Sequence, residues 1–283
     1  MVGTALAALL ELDPVKGLDD VFQAVPLAGP GRMYGGEAAA RALAAARRTV
    51  PDGRRVHAVH ASYLRAGDPA LPLCLRVERL RDGRAFAARR VDVEQGGKLI
   101  FTMALSYHAG GRAFAHQDPM PAVPLADELP VLSRQTGGQW FWPDWVVDDP
   151  VVELRPVPGS CIDDGADASR RAIWCRVPGD HGDDPALHEC LWLYASDISL
   201  VSSIRLPHEP SDRKTWLMTS LNHTVWFHRP FLVDDWYLVV QRSPRAGGGR
   251  GLAEGQVFTG DGTLVSSIAQ EGLASPVPDH VKQ

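Results

Sequence analysis

Three short segments in the second half of the chain embed polar side chains in an apolar context, and together they could carry out a hydrolysis. They are YASD at residues 194–197, TSLNH at 219–223 and AQEG at 269–272. A carboxylate, a hydroxyl and an amide can hold one water molecule, because the carboxylate takes its proton while the other two groups fix its direction. That chemistry suits a reactive ester-like bond and needs no covalent enzyme intermediate.

The carboxylate of this set, Asp197, lies in an apolar segment at residues 184–206. Asp184 and Pro185 predict a helix that begins there, since an Asp side chain can cap free N–H groups and proline suits the first helical position. Four apolar residues share a helical face with Asp197: Leu193, Leu200, Val201 and Ile204. A carboxylate in a buried helix needs hydrogen bonds or a nearby charge. Asp197 is therefore either a catalytic group or a structural one that bonds to neighbouring backbone.

The elements around these segments follow the same order twice. A helix at 37–50 is followed by β-forming runs at 55–64, 74–80, 86–94 and 99–108, each separated by turn residues. In the second half, strand-like runs at 151–157 and 172–177 precede the helix, and more follow it at 222–231, 236–242, 251–258 and 263–272. One buried helix with antiparallel strands is an α+β pattern.

The two halves also match in sequence. GKLI at 97–100 aligns with GTLV at 262–265, which places Leu105 on Gln270, and the helix at 37–50 offers no Asp equivalent to Asp197. We interpret this as a duplicated helix-wrapped antiparallel sheet with one polar pocket per chain, in the second half. The predicted organisation is a first repeat at 1–115, a linker at 116–150, a second repeat at 151–275 and a tail at 276–283.

The linker is rich in proline and aromatic residues. Its aromatic cluster at 139–147 either packs against a domain face or forms a lid over a pocket.

Composition limits the partners and the compartment. The chain has 283 residues and a net charge of −5, which gives no electrostatic reason to expect nucleic acid or an anionic membrane as a partner. The N-terminus lacks the basic region of a signal peptide. No metal-site spacing surrounds the four cysteines, so we expect reduced thiols, no metal and no cofactor in a cytoplasmic protein. The cysteines are Cys74, Cys161, Cys175 and Cys190.

Other catalytic motifs fit less well. No GxSxG elbow is present, which argues against an α/β-hydrolase triad. His223 and His228 are five apart on a predicted strand, so they point to opposite faces and suit core or edge positions. GGGRG at 247–251 is no dinucleotide fingerprint. With Arg250 it could approach a phosphate, or it could be a plain flexible turn.

Several motifs resemble those of one family, the acyl-CoA thioesterase II (TesB-like) double-hotdog thioesterases. RMYGGE at 32–37 is similar to the family's R-x-[FY]-G-G-Q, and VHAVHASYLRAGD at 56–68 to its VHS-x-H-x-x-FLRPGD. LRDGRAFAARRV, LYASD, NHTVWFHRPF, GGGRGLA and AQEG also resemble family signatures. The similarity extends over nearly the whole chain and is weakest at residues 109–180.

The resemblance implies a fold and an activity. Each half would be a hotdog, and Asp197, Ser220 and Gln270 would orient a water that attacks the thioester carbonyl of acyl-CoA, with fatty acyl chains as the expected substrates. The products would be free CoA and a carboxylic acid. Backbone N–H groups near a hotdog helix N-terminus would stabilise the oxyanion, and the protein is expected to be a homo-oligomer. The expected substrate-binding residues are Gly36, His60, Arg65, Asn222, His223 and Arg250.

Two departures from the family pattern bear on the activity. Asn222 stands where the family usually has Asp, and Glu37 where it has Gln. They leave open a second reading, a catalytically weak hotdog protein that binds acyl-CoA. A hotdog dehydratase or hydratase would need a His–Asp pairing on the helix, and there the sequence offers only His188, far from Asp197.

Overall fold

The computed structural model describes residues 9–27, 31–112, 114–132, 151–159, 170–208 and 216–276. In the first half, helix α1 (Gly35–Arg47) is accompanied by six strands: β1 (Asp13–Pro14), β2 (Val21–Ala24), β3 (Arg55–Tyr63), β4 (Leu73–Asp82), β5 (Phe86–Gln95) and β6 (Lys98–His108). In the second half, helix α2 (Pro185–Ser196) is accompanied by seven: β7 (Glu153–Pro156), β8 (Arg170–Arg176), β9 (Trp216–Ser220), β10 (Asn222–Phe227), β11 (Tyr237–Gly247), β12 (Arg250–Thr259) and β13 (Leu264–Pro276). Short 3₁₀ helices lie at Ala126–Glu128 and Leu200–Arg205.

All the strands belong to one antiparallel sheet that repeats its order about its centre. The order is β1-β2-β4-β5-β6-β3-β10-β13-β12-β11-β8-β7, with β9 also paired to β13. The two halves join edge to edge where β3 pairs with β10, with His60 opposite Thr224. The predicted α+β double hotdog is confirmed, and its two half-sheets are continuous through this junction. The predicted domain boundaries stay predictions, and the aromatic cluster at 139–147 lies outside the described residues.

The strand registers confirm the sequence alignment of the two halves. His60 faces Ala104 between β3 and β6, and Thr224 faces Ala269 between β10 and β13. Leu105 and Gln270 therefore occupy equivalent places, each one residue further along its strand. Both side chains are buried, an apolar one in the first half and an amide in the second.

The two helices pack against each other, and small residues on α1 allow a close approach. Its alanines are nearly all fully buried, as the predicted helix of small side chains implied. Gly36 in the first turn leaves no room for a side chain, because a Cβ there would lie 2.5 Å from the carbonyl oxygen of Tyr194 on α2. The phenol of Tyr34 donates a hydrogen bond to that same oxygen at 2.8 Å. The N-terminus of α1 thus lies beside the last turn of α2.

The predicted continuous helix at 184–206 is wrong in its second part. Asp184 does cap the helix, accepting from the Ala186 N–H at 3.0 Å, and Pro185 occupies the first turn. The α-helix ends at Ser196, however, and Asp197 is its C-cap. Side chains on two strands bond to the chain at this break, since Gln270 on β13 donates to the Asp197 carboxylate and Arg171 on β8 donates to the Ser199 carbonyl at 2.8 Å.

Smaller corrections concern the strands. β1, β2 and β9 were not predicted, and the run predicted at 222–231 ends as a strand at Phe227. β1 and β2 are only two and four residues long, too short to show a periodic pattern.

A buried ion pair anchors α1 to the segments that precede it. Arg41 and Glu37 are 0% and 2% exposed, and the Arg41 Nε lies 2.9 Å from the Glu37 Oε1. The two Nη atoms of Arg41 donate to the backbone carbonyls of Glu11 at 3.2 Å and Val25 at 2.7 Å. All three nitrogen atoms of the guanidinium therefore donate to an acceptor, which is the condition for a buried charge to be tolerated.

We expect Arg41→Met to lower the free energy of unfolding by about 3–5 kcal/mol, because it leaves a buried carboxylate without its partner. Urea denaturation measures the loss. Arg48→Met is the matched control. Arg48 on the same stretch is exposed and donates a single bond, to the Leu12 carbonyl, so its loss should cost less than about 1 kcal/mol. Equal losses in the two variants would contradict this account.

Candidate active site

The candidate site lies where α2 ends beside the beginning of α1. Asp197 is 5% exposed at the C-terminus of α2. Gly35, the first residue of α1, lies between this carboxylate and the ring of Tyr63 at the end of β3. A Cβ on Gly35 would lie 2.8 Å from both the Asp197 Oδ2 and the Tyr63 Cε1. Elements from both halves of the chain therefore surround the carboxylate.

The structure brings Asp197, Ser220 and Gln270 together. The Gln270 Nε2 donates to the Asp197 Oδ1 and also to the Ser220 Oγ, the latter at 2.9 Å. An ionised carboxylate only accepts hydrogen bonds, so the amide must present its NH₂ group to Asp197. Its carbonyl oxygen, Oε1, is then a buried acceptor with no partner in the described part of the chain. The structure thus turns the Gln270 side chain toward the end of α2.

A β-bulge turns Ser220 toward Gln270. Ser220 on β9 faces Gly272 of β13, whereas Thr224 on β10 faces Ala269. The segment that carries β9 and β10 therefore contains one residue more than its partner strand. Simple alternation would place Ser220 on the same face as Thr224, which points away from the helices. The extra residue moves it to the face of Gln270, as bulges near active sites often do.

His223 is a buried neutral histidine next to the site. It is 0% exposed, and its Nε2 lies 2.7 Å from the Ser196 Oγ. Ser196 uses its own proton to bond the Leu193 carbonyl, so His223 donates through Nε2 and its Nδ1 is an acceptor. That Nδ1 is buried with no partner among the described residues. Burial lowers the pKa of His223, and the opposing effect of the Asp197 charge is smaller.

Asn222 holds the backbone next to Gln270. Its Oδ1 accepts a hydrogen bond from the Glu271 N–H at 2.9 Å. A carboxylate oxygen could accept the same bond, so the departure from the family's Asp keeps this contact and removes one negative charge.

Glu37, the other departure, directs its carboxylate into the ion pair with Arg41. It also accepts from the Leu27 N–H at 2.8 Å. Burial raises the pKa of Glu37, and the nearby Arg41 opposes the rise.

Three expected substrate-binding residues lie apart from Asp197. His60 is exposed on the face of β3 opposite Val59, and its edge contacts the ring of Trp226. Arg65 donates to the Leu99 carbonyl at 2.6 Å. Arg250 pairs with Glu271 at 3.0 Å, with both side chains partly exposed. None of these contacts reaches the carboxylate, and their role toward substrate stays a prediction.

Sequence reasoning missed Tyr63 and Gly35 as parts of the site. Tyr63 continues the inward-facing alternation of β3 after Val59 and Ala61, so a hydroxyl at an inward position was the available signal. Its ring is partly exposed, while its hydroxyl is buried without a hydrogen bond of standard geometry to any described residue.

Comparison with known proteins identifies the family. The acyl-CoA thioesterase profile matches residues 147–273, and the acyl-CoA thioesterase N-terminal domain profile matches residues 25–108. Acyl-coenzyme A thioesterase 8 of Homo sapiens is 34% identical over 290 residues, which cover 96% of this chain and 89% of that protein. The crystal structure of acyl-CoA thioesterase II TesB2 from Mycobacterium marinum has a TM-score of 0.83 at 36% identity, covering 98% of this chain and 100% of that one.

A hot dog fold protein from Alicyclobacillus acidocaldarius shares the fold, with a TM-score of 0.74 at 19% identity over 97% of this chain and 98% of that chain. The fold thus defines a double hotdog with a buried carboxylate site. The chain belongs to the acyl-CoA thioesterase II family and is a thioester hydrolase. The family and enzyme class predicted from the sequence are confirmed.

Within the described ranges, no helix is long and apolar enough to cross a membrane. The same residues contain no group of three or more His, Cys, Asp or Glu side chains placed to hold a metal ion.

The buried neutral His223 predicts a pH-dependent stability. Its folded-state pKa is depressed below the unfolded value near 6.5, so the unfolded chain binds the proton first as the pH falls. The stability that neutral His223 contributes to the fold is therefore complete above about pH 6.5 and is lost as the pH falls below it. Urea midpoints measured from pH 7.5 to 5.5 should fall more steeply for the native protein than for His223→Gln, which can keep a donor toward Ser196. All other histidines are common to both proteins. If the urea midpoints of the two proteins fall equally with pH, His223 is not the source of this pH dependence.

The crowded position of Gly35 predicts a loss of rate on adding a methyl group. Gly35→Ala must displace the Asp197 carboxylate or the Tyr63 ring, and misplacement of a reacting group by about 1 Å can cost about 10²-fold. We expect thiol release from acyl-CoA to slow by at least about tenfold. Gly260→Ala is the control, because a Cβ there meets nothing within 4 Å. If Gly35→Ala releases thiol at the native rate, the close approach of Gly35 to Asp197 and Tyr63 does not affect catalysis.

Proposed function

We propose that Asp197, Ser220 and Gln270 activate one water molecule for hydrolysis of acyl-CoA thioesters. The observation that carries the proposal is the buried Gln270 amide, which bridges Asp197 and Ser220 through Nε2 and keeps Oε1 without a partner among the described residues. A buried amide acceptor without a hydrogen bond is unfavourable. A water molecule that donates to it would remove this penalty.

The hydrogen-bond capacities of the three side chains match those of one water. One O–H would donate to the Asp197 carboxylate and the other to the Gln270 Oε1. The Ser220 oxygen already accepts from Gln270, so its own proton is available to donate to the water. Three such bonds leave one lone pair of the water free to attack.

In the reaction, the water oxygen attacks the thioester carbonyl carbon and Asp197 takes the proton that is released. The negative charge then moves to the carbonyl oxygen, where the first turn of α1 would stabilise it. Its cap residue, Tyr34, provides no side-chain bond to the free backbone N–H groups, which carry a partial positive charge. Collapse of the intermediate breaks the C–S bond, and the leaving sulfur receives the proton from Asp197.

The expected substrates are fatty acyl-CoA molecules, which agrees with the acyl-CoA thioesterase family and with the apolar surroundings of the site. Tyr194 and Leu193 on α2 are both buried next to Asp197. The cytoplasmic location and the homo-oligomer predicted from the sequence stay predictions.

The central test is thiol release from acyl-CoA molecules of graded chain length by the purified protein and by Asp197→Asn. The substitution keeps the shape of the side chain and removes the base, so the rate should fall by about 10²–10⁴-fold. Asp52→Asn, at an exposed turn, is the matched control and should keep the native rate.

Two outcomes would count against the proposal. Absence of release at every chain length, with acyl-CoA still bound, would favour the weakly catalytic acyl-CoA-binding reading. If Asp197→Asn releases thiol at the native rate, Asp197 is not the base that activates the water.

A further inference from the structure

The hydroxyl of Tyr63 is a polar atom of the site that the mechanism above does not use. It is buried, has no hydrogen bond of standard geometry to any described residue, and lies on a residue from the first half of the chain. The family motif quoted above has phenylalanine at this place, so the hydroxyl is a departure of this chain. A buried hydroxyl without a partner is unfavourable unless it has a role.

The surroundings of Tyr63 direct its side chain toward Asp197. Its backbone N–H donates to the Leu221 carbonyl at 3.0 Å, which fixes the end of β3 against the bulge that carries Ser220. A Cβ on Gly35 would contact both the Tyr63 ring, at 2.8 Å from Cε1, and the Asp197 Oδ2, at 2.8 Å. Because Gly35 has no side chain, the phenol and the carboxylate face each other without an intervening group.

The electrostatics agree with this geometry. Burial raises the pKa of the Tyr63 phenol well above its ordinary value, and the negative charge of Asp197 raises it further. The phenol therefore keeps its proton across the working pH range and can act only as a donor toward the carboxylate. Of the two carboxylate oxygens, Oδ1 is already occupied by Gln270, so Oδ2 is the one that faces Tyr63.

We propose that Tyr63 is a positioning residue whose hydroxyl donates a hydrogen bond to the Oδ2 of Asp197 and keeps the carboxylate aimed at the water. The inference rests on the proposed function, because Asp197 must be the base for its position to matter to the rate. With Gln270 on Oδ1 and Tyr63 on Oδ2, both carboxylate oxygens are held by donors, one from each half of the chain.

The test is the pH dependence of kcat/KM for thiol release by Tyr63→Phe. Removing a donor to a carboxylate favours its protonated form, so the acidic limb of the profile should move to higher pH by about one unit. KM should stay within about twofold, while the plateau value of kcat should fall at least about twofold, because the carboxylate is less well aimed. Below the midpoint of the limb, the variant should be more than about tenfold slower than the native protein.

Tyr107→Phe is a matched control. Tyr107 on β6 is also buried with its hydroxyl unpartnered in the described part of the chain, but the titratable groups that act on it are Cys190, Glu189, Arg47 and Arg89 rather than Asp197. We expect its pH profile to coincide with the native one.

Few other groups of the described residues that face Asp197 can titrate. Gln270 on β13 and Ser220 on β9 do not titrate, and His223 on β10 does. His223 is common to all three proteins, and so is Glu37 of α1 in its pair with Arg41, so neither can produce a difference between their profiles. A Tyr63→Phe profile that coincides with the native one, while Asp197→Asn abolishes release, would overturn the inference and leave the proposed function standing.

A second measurement does not depend on catalysis. The ¹⁹F resonance of 3-fluorotyrosine placed at position 63 should shift with pH through the ionisation of the neighbouring carboxylate, and this step should vanish in Asp197→Asn. The same label at position 107 should not show the step. An identical titration with and without the Asp197 carboxylate would overturn the proposed contact, whether or not Tyr63→Phe folds and whether or not the protein releases thiol.

Discussion

A carboxylate enclosed by two helices and a sheet has to be held by hydrogen bonds, and the amide of Gln270 does this for Asp197. The bond joins the end of α2 to the middle of β13, so it fixes the one place where the central helix stops being an α-helix. A free carboxylate there would be costly, because burial penalises an ion without partners. The polar site and the helix end are therefore one structural feature.

The same bond explains why several irregularities of the backbone are found together. The α-helix gives way at Asp197, the strand that carries β9 and β10 bulges between Ser220 and Thr224, and α1 begins with a residue that has no side chain. Each departure brings one group toward the carboxylate. Regular helices and strands would have left Ser220 on the outer face and the N–H groups of α1 at a greater distance.

Much of this fold could be predicted from the sequence, because its signals are local. The cap at Asp184, the alternation of the long strands and the equivalence of Leu105 with Gln270 depend on residues near each other in the chain or on the match between the halves. The direction of Ser220, the end of the helix at Ser196 and the contact of Tyr63 with the site could not. They depend on partners far away in sequence, such as Arg171 for the helix break, and no periodic pattern records such contacts.

The equivalence of Leu105 and Gln270 also has an evolutionary consequence. In a symmetric pair of identical subunits, every substitution occurs twice, so a buried amide would weaken two cores for each pair of sites. Joining the copies in one chain, through the continuous sheet at β3 and β10, removes that coupling. One copy can then fill its position with a leucine and contribute stability, while the other carries the polar group that chemistry requires. In this chain one copy of the position stabilises the fold and the other serves the reaction, whereas a symmetric dimer must use the same residue for both.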